Sequence, residues 1–139
     1  MQPRFPPDSP LSVFTEDELA AIFAAATVRT CAAGEAILTE GEPGESMFIL
    51  VEGQAEARVA DGKVVRAYSP GAYFGELSFI NPGHKRSITV VAATAARLQV
   101  LDQTSVQSLL ASHPRAIFTL LRNAVAFMVG AERDRKSVV

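Results

Sequence analysis

The chain has 139 residues, which fits one domain and leaves little for a second. Apolar residues make up 48% and charged residues 20%, the make-up of a globular chain with a real core, and 13 Lys plus Arg against 15 Asp plus Glu remove the global basic charge of a dedicated nucleic-acid binder. The single cysteine, Cys31, excludes an internal disulfide framework and a cysteine-based zinc site, and the two histidines, His84 and His113, exclude a histidine-rich metal centre.

Residues 1 to 10 carry four prolines, which remove backbone donors and disfavour helix, so an extended arm is expected there. It lacks the apolar core of an export signal. A helix follows. Thr15-Glu-Asp-Glu18 is a capping-box signature, and Leu19, Ile22, Phe23 and Ala26 then recur at helical spacing. From Thr27 to Leu101 the pattern becomes short strands between frequent glycines, with runs at Met47–Val51, Ala55–Val59, Val64–Tyr68, Ile88–Ala92 and Ala96–Val100. Such a series reads as an antiparallel barrel or sandwich.

Asp102 is a plausible N-cap for a helix over Ser105–Ala111, which His113-Pro114 ends while starting another. In that last helix Ile117, Leu120, Leu121, Ala124, Phe127, Met128 and Ala131 share one face, and Phe118, Val125 and Val129 form a second apolar stripe. The second stripe reads as a homodimer or effector-protein contact, or as packing against another element of the same chain. Arg122 and Asn123 interrupt this apolar stretch, which falls short of the ~18 uninterrupted residues of a membrane span. A cytoplasmic location is expected.

The informative segment is Gly71-Ala-Tyr-Phe-Gly-Glu-Leu-Ser-Phe-Ile-Asn-Pro-Gly-His-Lys-Arg-Ser-Ile-Thr-Val90. Phe74 to Phe79 reads as a tight turn entering one helical turn, whose unpaired amides suit an anion, and Gly75 lets backbone approach it. Arg86 and Ser87 follow ten residues after Glu76, a loop length that can return a guanidinium and a hydroxyl to that anion. Glu76 makes no sense as a phosphate ligand but suits a sugar hydroxyl. The set therefore points to a phosphate joined to a ribose.

This stretch resembles the phosphate-binding cassette of cyclic nucleotide-binding domains. Upstream, Ile37-Leu-Thr-Glu-Gly41-Glu-Pro-Gly44-Glu-Ser-Met-Phe48-Ile-Leu-Val-Glu-Gly53-Gln-Ala55 is similar to that family's strand–turn–strand signature, glycines included. The resemblance spans roughly residues 11 to 133 and implies a mainly β fold with flanking helices (α+β). Its core would be an antiparallel double-stranded β-helix, or jelly-roll barrel, with one N-terminal and two C-terminal helices. The domain would cover residues 11–139 beyond the arm. It further implies that Phe74, Gly75, Glu76, Leu77, Ser78, Arg86 and Ser87 bind the ligand. The amides near Gly75 and Leu77 would take the cyclic phosphate, Glu76 the ribose 2′-hydroxyl, Arg86 an exocyclic oxygen, and Ser87 the phosphate. Ala57, Val59 and Val65 would wall the purine, and Ala131, Glu132 and Arg133 would cap it from the last helix. Those capping positions depart from the small hydroxylated residues of the bacterial catabolite activator. The family often has threonine where Ser87 stands to favour guanine, so cAMP is expected over cGMP.

Other residues have blander readings. His84 and Lys85 read as solvated loop residues or as a secondary phosphate contact. Cys31 reads as a small buried hydrophobe. Glu35, Glu40, Glu42, Glu45, Glu52 and Glu56, in a window without Lys or Arg, read as a solvated acidic flank or a docking face for a basic partner. The function expected is a stand-alone cyclic-nucleotide sensor, without cofactor, metal, direct nucleic-acid contact or direct membrane contact. Only six residues follow Arg133, so output is expected from a partner, from self-association or from sequence outside this chain. The competing readings are a degenerate barrel that binds protein, and a regulatory fragment of a channel or transporter. An enzyme is the least favoured class: a cupin-type oxygenase needs a histidine cluster, and neither a Ser-His-Asp set nor a Walker-type loop is present.

Overall fold

The computed structural model describes residues 5–76, 81 and 83–122. Thr15 caps helix α1 (Glu16–Ala25) through the expected capping box: its hydroxyl accepts from Glu18 N, and the Glu18 carboxylate accepts from Thr15 N at 2.9 Å. Eight strands follow: β1 (Thr27–Cys31), β2 (Ala36–Leu38), β3 (Ser46–Glu52), β4 (Ala55–Arg58), β5 (Val64–Tyr68), β6 (Tyr73–Phe74), β7 (Thr89–Ala92) and β8 (Ala96–Asp102). Helix α2 (Gln103–Ser112) starts on Asp102, whose carboxylate accepts from Ser105 N at 2.8 Å. Its ladder stops at His113 because Pro114 cannot continue it, and a further helix, α3, is described over 114–122.

The strands form two antiparallel four-stranded sheets, ordered β1-β8-β3-β6 and β2-β7-β4-β5. Between them lies one core cluster, with Phe48, Leu50, Tyr68, Phe74, Val90 and Leu98 among its members. The outer face of the first sheet carries a second cluster, in which Met47, Ile49 and Leu101 meet Leu11, Ile22, Leu109, Ile117 and Leu120. Strand β3 therefore buries both faces, even positions toward the other sheet and odd ones toward the helices. This double burial explains why it reads as an unbroken apolar run rather than an alternating one. The result is the expected mainly β barrel with flanking helices.

The proline-rich start departs from an extended arm. Ser9 N donates to Pro6 O, Pro10–Val13 form a 3-10 turn, and Ser9 is buried with its hydroxyl donating to Gly71 O at 2.7 Å. Phe5 packs edge-on against Phe23 at 6.1 Å. The prolines block regular helix but leave tight turns open, and burial of Leu11 and Phe14 draws the segment onto the barrel. The acidic window is partly neutralised by nearby cations: Arg29 of β1 pairs with Glu35, Arg97 of β8 with Glu52, and Arg58 with Glu56 on the same strand.

Glu18 links the helices as well as capping one. It is buried, and Arg115 of α3 donates to its carboxylate at 2.7 Å. The Thr15 amide first, and Arg115 after it, hold its carboxyl below the ordinary range against the opposing effect of burial. A lowered folded-state pKa contributes stability that is present above the ordinary carboxylate range and lost as pH falls through it. Thermal midpoints recorded from neutral pH downward should therefore decline, with a shallower decline in Glu18→Gln; superimposable pH profiles for the two proteins would contradict this role.

Candidate functional site

A cavity of about 560 Å³ opens between the second sheet, the loop after β6 and the N-terminal turn. That size lies within the ~300–1,000 Å³ of small-molecule pockets. Its floor is apolar, from Leu38, Tyr68, Phe74, Ile88 and Val90, and its polar lining includes Glu76, Arg86, Ser87 and Arg66.

The position of Arg86 is fixed by backbone pairing. Arg86 N donates to Glu42 O at 2.8 Å, Gly41 N donates to Arg86 O at 2.8 Å, Gly44 N donates to His84 O at 3.1 Å, and Pro43 bridges Lys85. The segment before β3 thus runs alongside residues 84–86 and delivers the guanidinium over Gly44. Arg86 Nη2 donates to Ser46 O at 2.7 Å and Nη1 to Gly75 O at 3.2 Å, with the Phe48 ring 6.0 Å from Cζ. A guanidinium has more donors than these carbonyls use. Among the described residues, these two carbonyls are the acceptors around Arg86, whose side chain lines the cavity.

Two glycines make this approach possible. A Cβ on Gly44 would collide with Arg86 Cζ, and a Cβ on Gly75 would meet Arg86 Nη1 at 3.1 Å and Ser46 O at 3.2 Å. Gly75 also has φ +85°, which favours glycine over any other residue.

Glu76 follows directly and lines the same cavity. Burial pushes its carboxyl above the ordinary range, outweighing its own backbone amide and the attraction of Arg66 and Arg86. Burial likewise lowers Arg86 from its usual value, against the pull of Glu76. Each charge is partly desolvated, a cost that an anion and a sugar hydroxyl would offset.

Of the expected ligand residues, Phe74, Gly75, Glu76, Arg86 and Ser87 line one cavity. Leu77 and Ser78 lie outside the described residues, as do the capping positions Ala131, Glu132 and Arg133 and the stripe positions Val125 and Val129. Phe118 is 64% exposed, with the Arg122 guanidinium 5.9 Å from its ring centre. The expected purine wall needs correction. Ala57 is buried in the core between the sheets, and neither Val59 nor Val65 is among the described residues lining the cavity. Ala57 stands opposite Arg66, and Ala55 opposite Tyr68, so Arg66 and Tyr68 share the inward face. Val65, one residue away, turns outward, while Val59 lies just past β4 and the irregularity at Ala57/Arg58, 39% exposed. Arg66, Tyr68 and the N-terminal residues Asp8, Ser9, Pro10, Ser12 and Val13 were not expected in the lining. The parity of β5 counted back from buried Tyr68 would have found Arg66.

The sequence model of the family described as "Cyclic nucleotide-binding domain" matches residues 28–113. The chain belongs to the cyclic nucleotide-binding domain family. Members of this family are regulatory rather than catalytic. The chain is 40% identical over 78 residues to a cAMP-dependent protein kinase regulatory subunit of Colletotrichum orbiculare, covering 55% of this chain and 20% of that protein. It is 43% identical over 96 residues to a cyclic nucleotide-gated potassium channel of Mesorhizobium japonicum, covering 69% and 26%. A solved structure from work titled "A cyclic-GMP-dependent signalling pathway regulates bacterial phytopathogenesis" superposes with a TM-score of 0.76 at 31% identity, covering 84% of this chain and 95% of that one. The chain thus spans about a fifth to a quarter of those two curated relatives. Among the described residues, no helix is long and apolar enough to cross a membrane.

Gly44→Ala should displace the Arg86 side chain, which is flexible, rather than unfold the barrel. The expected result is weakened cyclic-nucleotide binding with a nearly unchanged melting temperature; undiminished affinity would refute the close-approach argument. A carboxyl with a raised folded-state pKa costs stability above that pKa, and the cost is relieved as pH falls through it. Replacing it by the neutral amide in Glu76→Gln should therefore raise the melting temperature at neutral pH while weakening binding, and a lowered melting temperature would show that Glu76 is structural instead.

Proposed function

We propose that this chain is a sensor for a cyclic purine mononucleotide, held by phosphate and ribose in the cavity beneath Arg86. The observation that carries the reading is the guanidinium seated between Gly44 and Gly75 in the lining of the cavity, with the partly desolvated Glu76 in the same lining. Arg86 and Ser87 bind the exocyclic phosphate oxygens, joined by amides of Gly75, Leu77 and Ser78. Glu76 accepts the 2′-hydroxyl. Phosphate supplies the negative charge that a partly buried arginine calls for, and the hydroxyl gives Glu76 a donor. Phe74, Leu38 and Val90 provide the apolar floor.

Residues 131–133 would close over the base, making ligand binding a shift between open and closed arrangements of the last helix; its size is bounded by the difference in affinity for the two. Output then passes to a partner, to a second copy through Phe118, Val125 and Val129, or to further sequence, as the channel and kinase-subunit relatives suggest. Protein binding by a degenerate barrel is the weaker reading, since it leaves the desolvated Arg86 and Glu76 without purpose. Within the ligand class, Ser87 in place of threonine favours cAMP.

Calorimetric titration with cAMP, cGMP and the open-chain 5′-AMP tests the proposal. The cyclic nucleotides should bind and 5′-AMP should bind far more weakly. Arg86→Leu removes several charge-assisted hydrogen bonds of ~1.5–3 kcal/mol each, so affinity should drop on the order of a hundredfold or more with the melting temperature retained. Neither heat nor thermal shift at millimolar cyclic nucleotide would overturn the sensor reading.

A further inference from the structure

Where α2 gives way to α3, the chain is fastened to α1 by two side-chain bridges. His113 Nε2 lies 2.9 Å from Asp17 Oδ2, and Arg115 donates to the Glu18 carboxylate at 2.7 Å. Alongside them, Ala116, Ile117 and Leu120 of α3 pack with Ile22 of α1 in the helix-side core. The two bridges differ in kind. A guanidinium stays charged in proteins, whereas imidazole changes charge between about pH 5 and pH 8. Over that range one fastening is constant and the other adjustable.

The surroundings of His113 leave Asp17 to set the balance. His113 Nδ1 is 2.9 Å from Ser112 Oγ, a hydroxyl that can donate to the ring or accept from it, so this contact survives either protonation state. Arg115, two residues on, is matched by Glu18. The carbonyl end of α2, where His113 N donates to Leu109 O, favours a cation, and the amide end of α3, where Ala116 N donates to His113 O, opposes it. A neutral ring gives the Asp17 carboxylate an ordinary hydrogen bond. A protonated ring gives it a charge-assisted one, which is stronger.

This corner is the root of the last helix. If residues 131–133 close over the base, closure needs that root in place, and apparent affinity scales with the fraction of molecules in which it is. Neither Asp17 nor His113 is among the described residues lining the cavity, so their influence on a ligand runs through the helix.

We propose that His113 is a pH-operated fastening for the last helix: protonated, it locks to Asp17, holds the root of α3 on α1 and tightens the hold on the nucleotide. The inference rests on the sensor reading of the cavity and on closure by the last helix. Asp17 is exposed, so the pair competes with water and salt. Exposed pairs of this kind are worth up to about fivefold, and about threefold is expected here.

Calorimetric titration with cAMP and with cGMP, at about pH 5.5 and about pH 8, tests the proposal on the full chain, on His113→Gln, on Asp17→Asn and on the double variant. On acidification the unmodified chain should gain about threefold more affinity than His113→Gln does. Asp17→Asn should lose the same advantage, and the double variant should lose no more than either single one. Glu76 and His84 line the cavity in all of these chains, so the comparison cancels their titration. Equal gains in the unmodified chain and in His113→Gln would overturn the proposal, as would an advantage that survives in Asp17→Asn. A His113→Gln loss of the same size at both pH values would also overturn it, being the mark of a residue that only supports the fold. Binding of neither nucleotide at either pH would instead defeat the sensor reading.

Discussion

The contact on which the site depends is the seating of one guanidinium against backbone that has no side chains to keep it away. Arg86 donates to the carbonyls of Ser46 and Gly75, and both Gly44 and Gly75 leave out the Cβ that would occupy its place. Those carbonyls come from the start of β3 and the end of β6, which pair in the first sheet, whereas Arg86 precedes β7 in the second. The arginine therefore ties the sheets together where the cavity opens. These bonds hold the guanidinium in the cavity lining before any anion arrives. Pre-orientation of this kind lowers the entropy cost of binding.

The same arrangement opposes stability. Arg86 and Glu76 both lose solvent, and their mutual attraction does not restore either to its ordinary protonation behaviour. What holds the barrel against this cost lies elsewhere. The doubly buried β3, the core between the sheets and the capped helices around Glu18 supply the apolar burial and satisfied polar groups. Strain is placed at the ligand site and support at a distance from it, as expected where a protein recognises charge in a poorly solvated pocket.

Much of this was legible in the sequence where local chemistry decides the outcome. The Thr15 capping box, the Asp102 cap and the Pro114 break each depend on residues a few positions apart. The cassette from Phe74 to Ser87 was legible because its glycines, acid and arginine stand in a fixed order. The purine wall was not. Val59 and Val65 were chosen as apolar residues on the right strands, but strand faces alternate, and an irregularity at Ala57/Arg58 leaves apolarity a poor guide to parity. Arg66 escaped notice since an arginine on an edge strand ordinarily points to water. The proline-rich start was misread for a related reason: its folding depends on Leu11 and Phe14 finding the helix-side core, a contact no local pattern reveals.

That start has a bearing on how signals could enter or leave the molecule. The Ser9 hydroxyl grips Gly71 O at the mouth of β6, and the turn behind it contributes Asp8, Ser12 and Val13 to the cavity's edge. A pull applied upstream of Phe5 would therefore reach the pocket without passing through any helix at the far end. The barrel is thus wired to its leading segment.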